Sequence, residues 1–118
     1  MSSNQIAINQ LNQVLVASVQ IDLTEQVLEA FASELLERLH HAPLKGILID
    51  LSGIKTLDKA SFERLVDVTK MASVMGANTV FVGMRPGIVF GLIEVEANLD
   101  GVVSVASLEQ GLERLDND

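Results

Sequence analysis

Cysteine is absent from this chain. That excludes a disulfide framework, thiolate metal ligands and a cysteine nucleophile, and it suits a reducing cytoplasm. Tryptophan and tyrosine are absent too, which leaves few side chains on which nucleic-acid bases could stack. Positive charge is scarce: 8 Lys and Arg stand against 16 Asp and Glu, a formal net charge of −8. Binding a nucleic acid needs a clustered basic patch to neutralise phosphates. The scattered cations here exclude that class, and the acidic balance steers toward basic protein surfaces instead. No apolar run approaches the ~18 residues of a membrane span. The opening Met1-Ser2-Ser3-Asn4-Gln5 has neither the basic nor the apolar region of a signal peptide. A cytoplasmic, soluble protein with no membrane role is expected.

What is present is apolar and ordered. The 118 residues are 48% hydrophobic with two prolines, enough for one domain, residues 1–118, with a self-sufficient core. Ile6, Ile8 and Leu11, then Val14 to Val19, flank a tight turn read at Asn9, Gln10, Asn12 and Gln13, giving a β-hairpin. Val14 to Val19 is apolar on both faces, which suits an interior strand. Asp22 or Thr24 caps a helix whose stripe is Val27, Leu28, Phe31, Leu35 and Leu39, and His40-His41-Ala42-Pro43 ends it. A strand follows from Gly46 to Leu51. Asp58 then caps a second helix, with Phe62, Leu65, Thr69, Ala72 and Gly76 on its buried face and Gly76 also its C-terminal cap. Asn78 to Gly83 is a strand. Pro86 opens a third helix covered by Ile88, Val89, Leu92, Ile93 and Val95. Val102 to Ala106 is the last strand, and Ser107 caps a final helix from Leu108 to Leu115, with Gln110 completing a capping box. The expected fold class is α/β: a mixed, partly parallel sheet packed against about four helices, in the order ββαβαβαβα.

Enzyme signatures are missing. No glycine-rich phosphate loop, Gly-x-Ser-x-Gly elbow or His-Glu-x-x-His helix occurs. His40 and His41, read as pointing to different sides of a helix end, lack a metal-ligand spacing, so no metal and no cofactor is expected. Asp50 and Asp58 read as a strand end and a helix cap. Met71 and Met75 read as packing, with an adaptable binding surface as the alternative. Lys59 is more informative, because a cation in the first helical turn opposes the macrodipole by roughly 0.3–1 kcal/mol when exposed. Ser61, near N3, reads as an exposed hydroxyl able to accept a phosphoryl group at a helix N-terminus.

Several segments together carry a resemblance. They are Ile49-Asp50-Leu51-Ser52-Gly53 through Asp58, Met75-Gly76-Ala77-Asn78, Val82-Gly83-Met84-Arg85-Pro86, Leu92-Ile93-Glu94 and Leu108-Glu109-Gln110-Gly111-Leu112-Glu113. Over nearly its full length the chain resembles STAS domains of the anti-anti-sigma type, and most closely RsbS-type stressosome subunits. The resemblance implies a non-catalytic module that works by partner switching in stress or sigma-factor control. Such subunits bind a serine/threonine switch kinase (RsbT-like), are phosphorylated by it with ATP at the start of the second helix, and release it. They co-assemble with larger STAS scaffold proteins (RsbR-like), so a self- or co-oligomer is implied. Asp58, Lys59, Ala60 and Ser61 would form the partner-binding corner. The family's phosphoacceptor is a serine or threonine directly after the aspartate, and here that position is Lys59. Lysine neither accepts this phosphate nor mimics it. Ser61, and behind it Thr24 and Thr56, are the remaining hydroxyl candidates. Two alternatives stay open: a structural scaffold STAS subunit, and a small nucleotide-binding α/β protein using Asp22, Asp50 and Asp58.

Overall fold

The computed structural model describes residues 6–117. Strands β1 (Ile6–Leu11) and β2 (Val14–Val19) lead to helix α1 (Glu25–His41). Strand β3 (Gly46–Asp50), helix α2 (Lys59–Val74), strand β4 (Asn78–Val82) and helix α3 (Pro86–Glu94) follow, then β5 (Ser104–Val105) and α4 (Leu108–Asp116). The strands form one sheet in the order β1-β2-β3-β4-β5. β1 is antiparallel to β2, and the other neighbours are parallel. This is the expected mixed sheet and element order.

Alternation along the central strands explains why they read as apolar on both faces. Leu15, Ala17, Val19, Ile47, Ile49 and Phe81 join the larger core, under α1 and α2. Val14, Leu48, Val80 and Val82 face the other way and meet Leu115 of α4. Helix α1 buries the whole expected stripe, Val27, Leu28, Phe31, Leu35 and Leu39. Helix α2 buries Phe62, Leu65, Val66, Val68 and Ala72. Phe62 meets Phe81 in the sheet with ring centroids 5.9 Å apart. On the opposite face α4 sits close because of Gly111, where a Cβ would come within 2.8 Å of Leu48 Cδ2.

Some local readings are corrected. The hairpin turn is only Asn12 and Gln13, since Leu11 pairs with Val14, and Asn9 and Gln10 belong to β1. Asn12 takes the left-handed backbone (φ 56°) that lets so short a loop close. Gly76 is exposed and does not line the buried face of α2. Its φ of 95° makes it the helix terminator, the other role expected of it. The last strand is two residues long, because the chain from Asp100 to Val102 runs outside the sheet. Helix α3 buries Ile88 and Leu92 but leaves Ile93, Val95 and Phe90 in solvent, Phe90 71% exposed. Met71 and Met75 are likewise half exposed, beside Val74 at 88%. They are a surface and not core packing.

Candidate partner-binding corner

The corner begins where β3 ends. Asp50 Oδ1 accepts from the Ser52 amide (2.9 Å) and the Ser52 hydroxyl (2.7 Å), a local turn that an aspartate at this position favours. Arg85, just before α3, donates from Nε (3.3 Å) and Nη2 (3.1 Å) to the Ser52 carbonyl. The loop leading to α2 is thereby tied to the start of α3. The backbone then runs extended into Asp58 (φ −84°, ψ 166°), whose carboxylate accepts from the Ser61 amide at 2.7 Å. That charge-assisted bond satisfies one of the orphan donors at the start of α2. The Ser61 amide also holds the Asp58 carboxyl below the usual carboxylate range.

Lys59 and Ala60 are N1 and N2 of α2 and both are exposed. Lys59 makes no side-chain hydrogen bond or ion pair among the described residues. Ser61, expected as an exposed hydroxyl, is half-buried, and its Oγ donates to the Leu23 carbonyl at 3.0 Å. A residue at N3 on the side of α2 that meets α1 faces its neighbour, which sequence spacing alone does not reveal.

Helix α1 starts beside it. Thr24 is the N-cap, its Oγ1 accepting from the Val27 amide at 3.2 Å. Glu25 Oε2 pairs with Arg64 Nη1 of α2 at 3.3 Å, an exposed pair worth ~0–1 kcal/mol. Between the two helix starts lies an open groove of about 570 Å³, lined by Asp22, Leu23, Thr24, Glu25, Thr56, Leu57, Asp58 and Ser61. The structure therefore gathers Thr24, Thr56, Asp58 and Ser61 in one place, with Lys59 and Ala60 on the adjoining turn. Thr56 is exposed, and its hydroxyl has no partner among the described residues. Asp22, Glu25 and Asp58 give the groove an acidic lining. Asp50 stays in its own turn outside it.

Sequence reasoning gave Arg85 no role of its own, and it brought Asp22 and Asp58 of the acidic lining together only in the nucleotide-binding alternative, without Glu25. The signal for Arg85 is that α3 starts without a side-chain cap, which leaves the residue before Pro86 free to reach elsewhere. His40 and His41 are not splayed apart as expected: their ring centroids are 5.3 Å apart, and His41 Nε2 lies 2.8 Å from Glu37 Oε2. No group of three or more metal-ligating side chains occurs among the described residues. No helix among them is long and apolar enough to cross a membrane.

The profile of the STAS domain matches residues 5–94. The chain belongs to the STAS family. Its fold is that of the STAS anti-sigma factor antagonists. A serine-to-glutamate variant of RsbS from Moorella thermoacetica superposes with a TM-score of 0.81 at 25% identity, covering 97% of each chain. A chain from the architecture of the stressosome, a signal integration and transduction hub, gives 0.80 at 26%, covering 94% of this chain and 96% of that one. The anti-sigma factor antagonist SpoIIAA in its unphosphorylated form shares the fold alone, with 0.74 at 9% identity, covering 96% and 97%.

Proposed function

We propose that residues 1–118 form one non-catalytic STAS module that holds a serine/threonine switch kinase within a stressosome-like assembly, and that it does so without a phospho-release switch of its own. The observation that carries this is the first turn of α2. Asp58 caps the helix as an antagonist's aspartate would, and the next side chain is an exposed lysine with no partner among the described residues. Structural stability does not ask for a cation there, since it opposes the helix dipole. An exposed ammonium at a capped helix start suits contact with another protein.

Likeness to RsbS and to the stressosome chain, at similar length, supports the assignment of partners: an RsbT-like kinase and an RsbR-like STAS scaffold, meeting in a cytoplasmic complex. Switching in such a system depends on charge. A phosphate adds about −1.5 to −2 charges beside a docking surface. Added to a groove that already holds Asp22, Glu25 and Asp58, it would disfavour an acidic or closely packed partner face. Lys59 removes the acceptor and keeps a positive charge in its place. Ser61 is a poor substitute, because its hydroxyl is half-buried and donates to Leu23. Thr24 already uses its oxygen as a helix cap. Thr56 is the accessible hydroxyl among the three.

Incubation with the cognate switch kinase and ATP, read by mass spectrometry and by co-purification, tests the proposal. Binding that survives ATP with no phosphate on the chain is the expected result. Efficient phosphorylation at Ser61, Thr24 or Thr56 would remove the switchless reading, and absence of any kinase binding would remove the kinase partner. One feature favours a second reading as a scaffold subunit: the apolar surface of Phe90, Ile93 and Val95 on α3. A chain that enters a large assembly without touching the kinase fits that reading.

A further inference from the structure

A second cleft lies at the far edge of the sheet, away from the helix starts. β5 pairs with β4 only at Phe81↔Ser104 and Val82↔Val105. The innermost bond of that short ladder runs from the Phe81 amide to the Val103 carbonyl at 2.8 Å. Before Val103 the chain has left the sheet. Alternate residues of a strand direct their N–H and C=O to the same side, so those of Thr79 face the gap that β5 leaves open. Neither group makes a backbone bond among the described residues.

The Thr79 side chain points to the same face as Phe81, under α2, because Val80 and Val82 face α4. Its Oγ1 is buried and without a hydrogen-bond partner. Thr79 thus turns an unpaired amide and an unpaired carbonyl toward the gap, while its hydroxyl is shut in beneath α2. Buried polar groups are normally paired, and leaving one unpaired is costly. The cleft around it measures about 380 Å³. Val66, Phe81 and Val102 supply apolar lining, and Lys70, Ser73 and Asp100 stand around it with no side-chain partner among the described residues. Apolar walls with a few convergent polar groups are the ordinary make-up of a small-molecule site, and the volume lies at the lower end of the usual range.

We propose that this cleft binds a small planar molecule with an amide-type edge, a donor beside an acceptor, which pairs with the carbonyl and amide of Thr79. The site is independent of the partner-binding corner and does not rest on the kinase reading. A lactam or a pyrimidine ring has this edge and fits the volume.

Amide-resolved NMR titration of the full chain tests it, with uracil as probe and 1,3-dimethyluracil, whose N–H donors are blocked, as control. Uracil should give saturable shifts at the amides of Thr79, Gly101 and Val103, with a dissociation constant on the order of 1 mM for so few atoms. The dimethyl compound should bind about tenfold more weakly, while Thr79→Val, which keeps the backbone edge, retains the affinity for uracil. Ser73→Leu, an exposed helical position that narrows the cleft, should also weaken binding about tenfold. The proposal fails if uracil gives no saturable shift at these amides, if the dimethyl compound binds equally well, or if Ser73→Leu binds as the unaltered chain does.

Discussion

Helices α1 and α2 start side by side on one groove, yet their first turns are built to different rules. At α1, Thr24 caps and Glu25 follows, so the charge nearest the helix start complements the dipole. At α2, Asp58 caps, and a lysine follows where a negative charge would serve better. α1 is further held by the pair from Glu25 to Arg64, whereas Lys59 has no partner among the described residues. The first start is explained by stability alone. The second is not, and on the proposed reading the partner-facing part of the groove lies on the α2 side.

The strongest way to break the contrast is to return an acceptor to α2. Lys59→Ser should convert a chain that the cognate kinase leaves unmodified into one that it phosphorylates beside Asp58, with ATP-dependent loss of kinase in a pull-down. The equivalent change at α1, Glu25→Ser, should gain neither property. If Lys59→Ser binds the kinase but is never modified, the α2 start is not a silenced switch, and the comparison loses its functional meaning.

Removing the caps comes next in size. Asp58→Ala should cost about 1–2 kcal/mol in urea unfolding, and Thr24→Ala about 1 kcal/mol. The charged cap has the shorter bond, 2.7 Å against 3.2 Å, and it also meets the helix dipole. Equal losses would mean that charge adds nothing at α2.

The two caps also differ in their response to pH. The Asp58 carboxyl is held below its ordinary value by the Ser61 amide. A depressed carboxyl stabilises the fold above the unfolded-chain pKa of about 3.9, and the contribution is lost as pH falls through the lower folded value. The stability gap between the unaltered chain and Asp58→Ala should therefore be flat near neutrality and close below about pH 4. Thr24 does not titrate, so its gap should stay constant over the same range. A Thr24 gap that closed in parallel would assign the acid effect to general unfolding.

How far these differences were legible in the sequence depends on the range of the interactions. Caps and stripes are local, so Thr24, Asp58, Gly76 and the buried face of α1 could be read from spacing. So could the two-faced β2, because a strand with apolar residues in both registers has to be covered on both sides. Contacts between distant segments could not. Ser61 is an unremarkable first-turn residue until α1 arrives with the Leu23 carbonyl 38 positions earlier in the chain. Arg85 reaches Ser52 across 33 positions, and periodicity carries no record of that. Helix α3 misled for another reason. Its residues are so uniformly apolar that no polar face marks its solvent side, and cover for Ile93 and Val95 was inferred where the fold provides none. The short β5 was overread because Val102-Val103-Ser104-Val105-Ala106 is β-prone throughout, while the turn at Gly101 takes its first residues out of the sheet.

The smallest expected effect bears on the comparison most directly, because it swaps the charges. Lys59→Glu places a negative charge at N1 of α2 and should stabilise the chain by about 0.3–1 kcal/mol. Glu25→Lys should cost a similar amount through the dipole and lose the exposed pair with Arg64 as well, which is worth ~0–1 kcal/mol. Both effects should shrink in high salt, since the groups are exposed and screening acts over a Debye length of roughly 10 Å at 0.1 M. The informative measurement is stability and kinase binding on the same Lys59→Glu sample. If the ammonium is there for a partner, the variant becomes more stable while its kinase affinity falls, and the two readouts move in opposite directions. A variant that gains stability and binds as tightly as before would show Lys59 to be an unfavourable charge that the fold tolerates, and the α2 start would then differ from the α1 start in sequence alone.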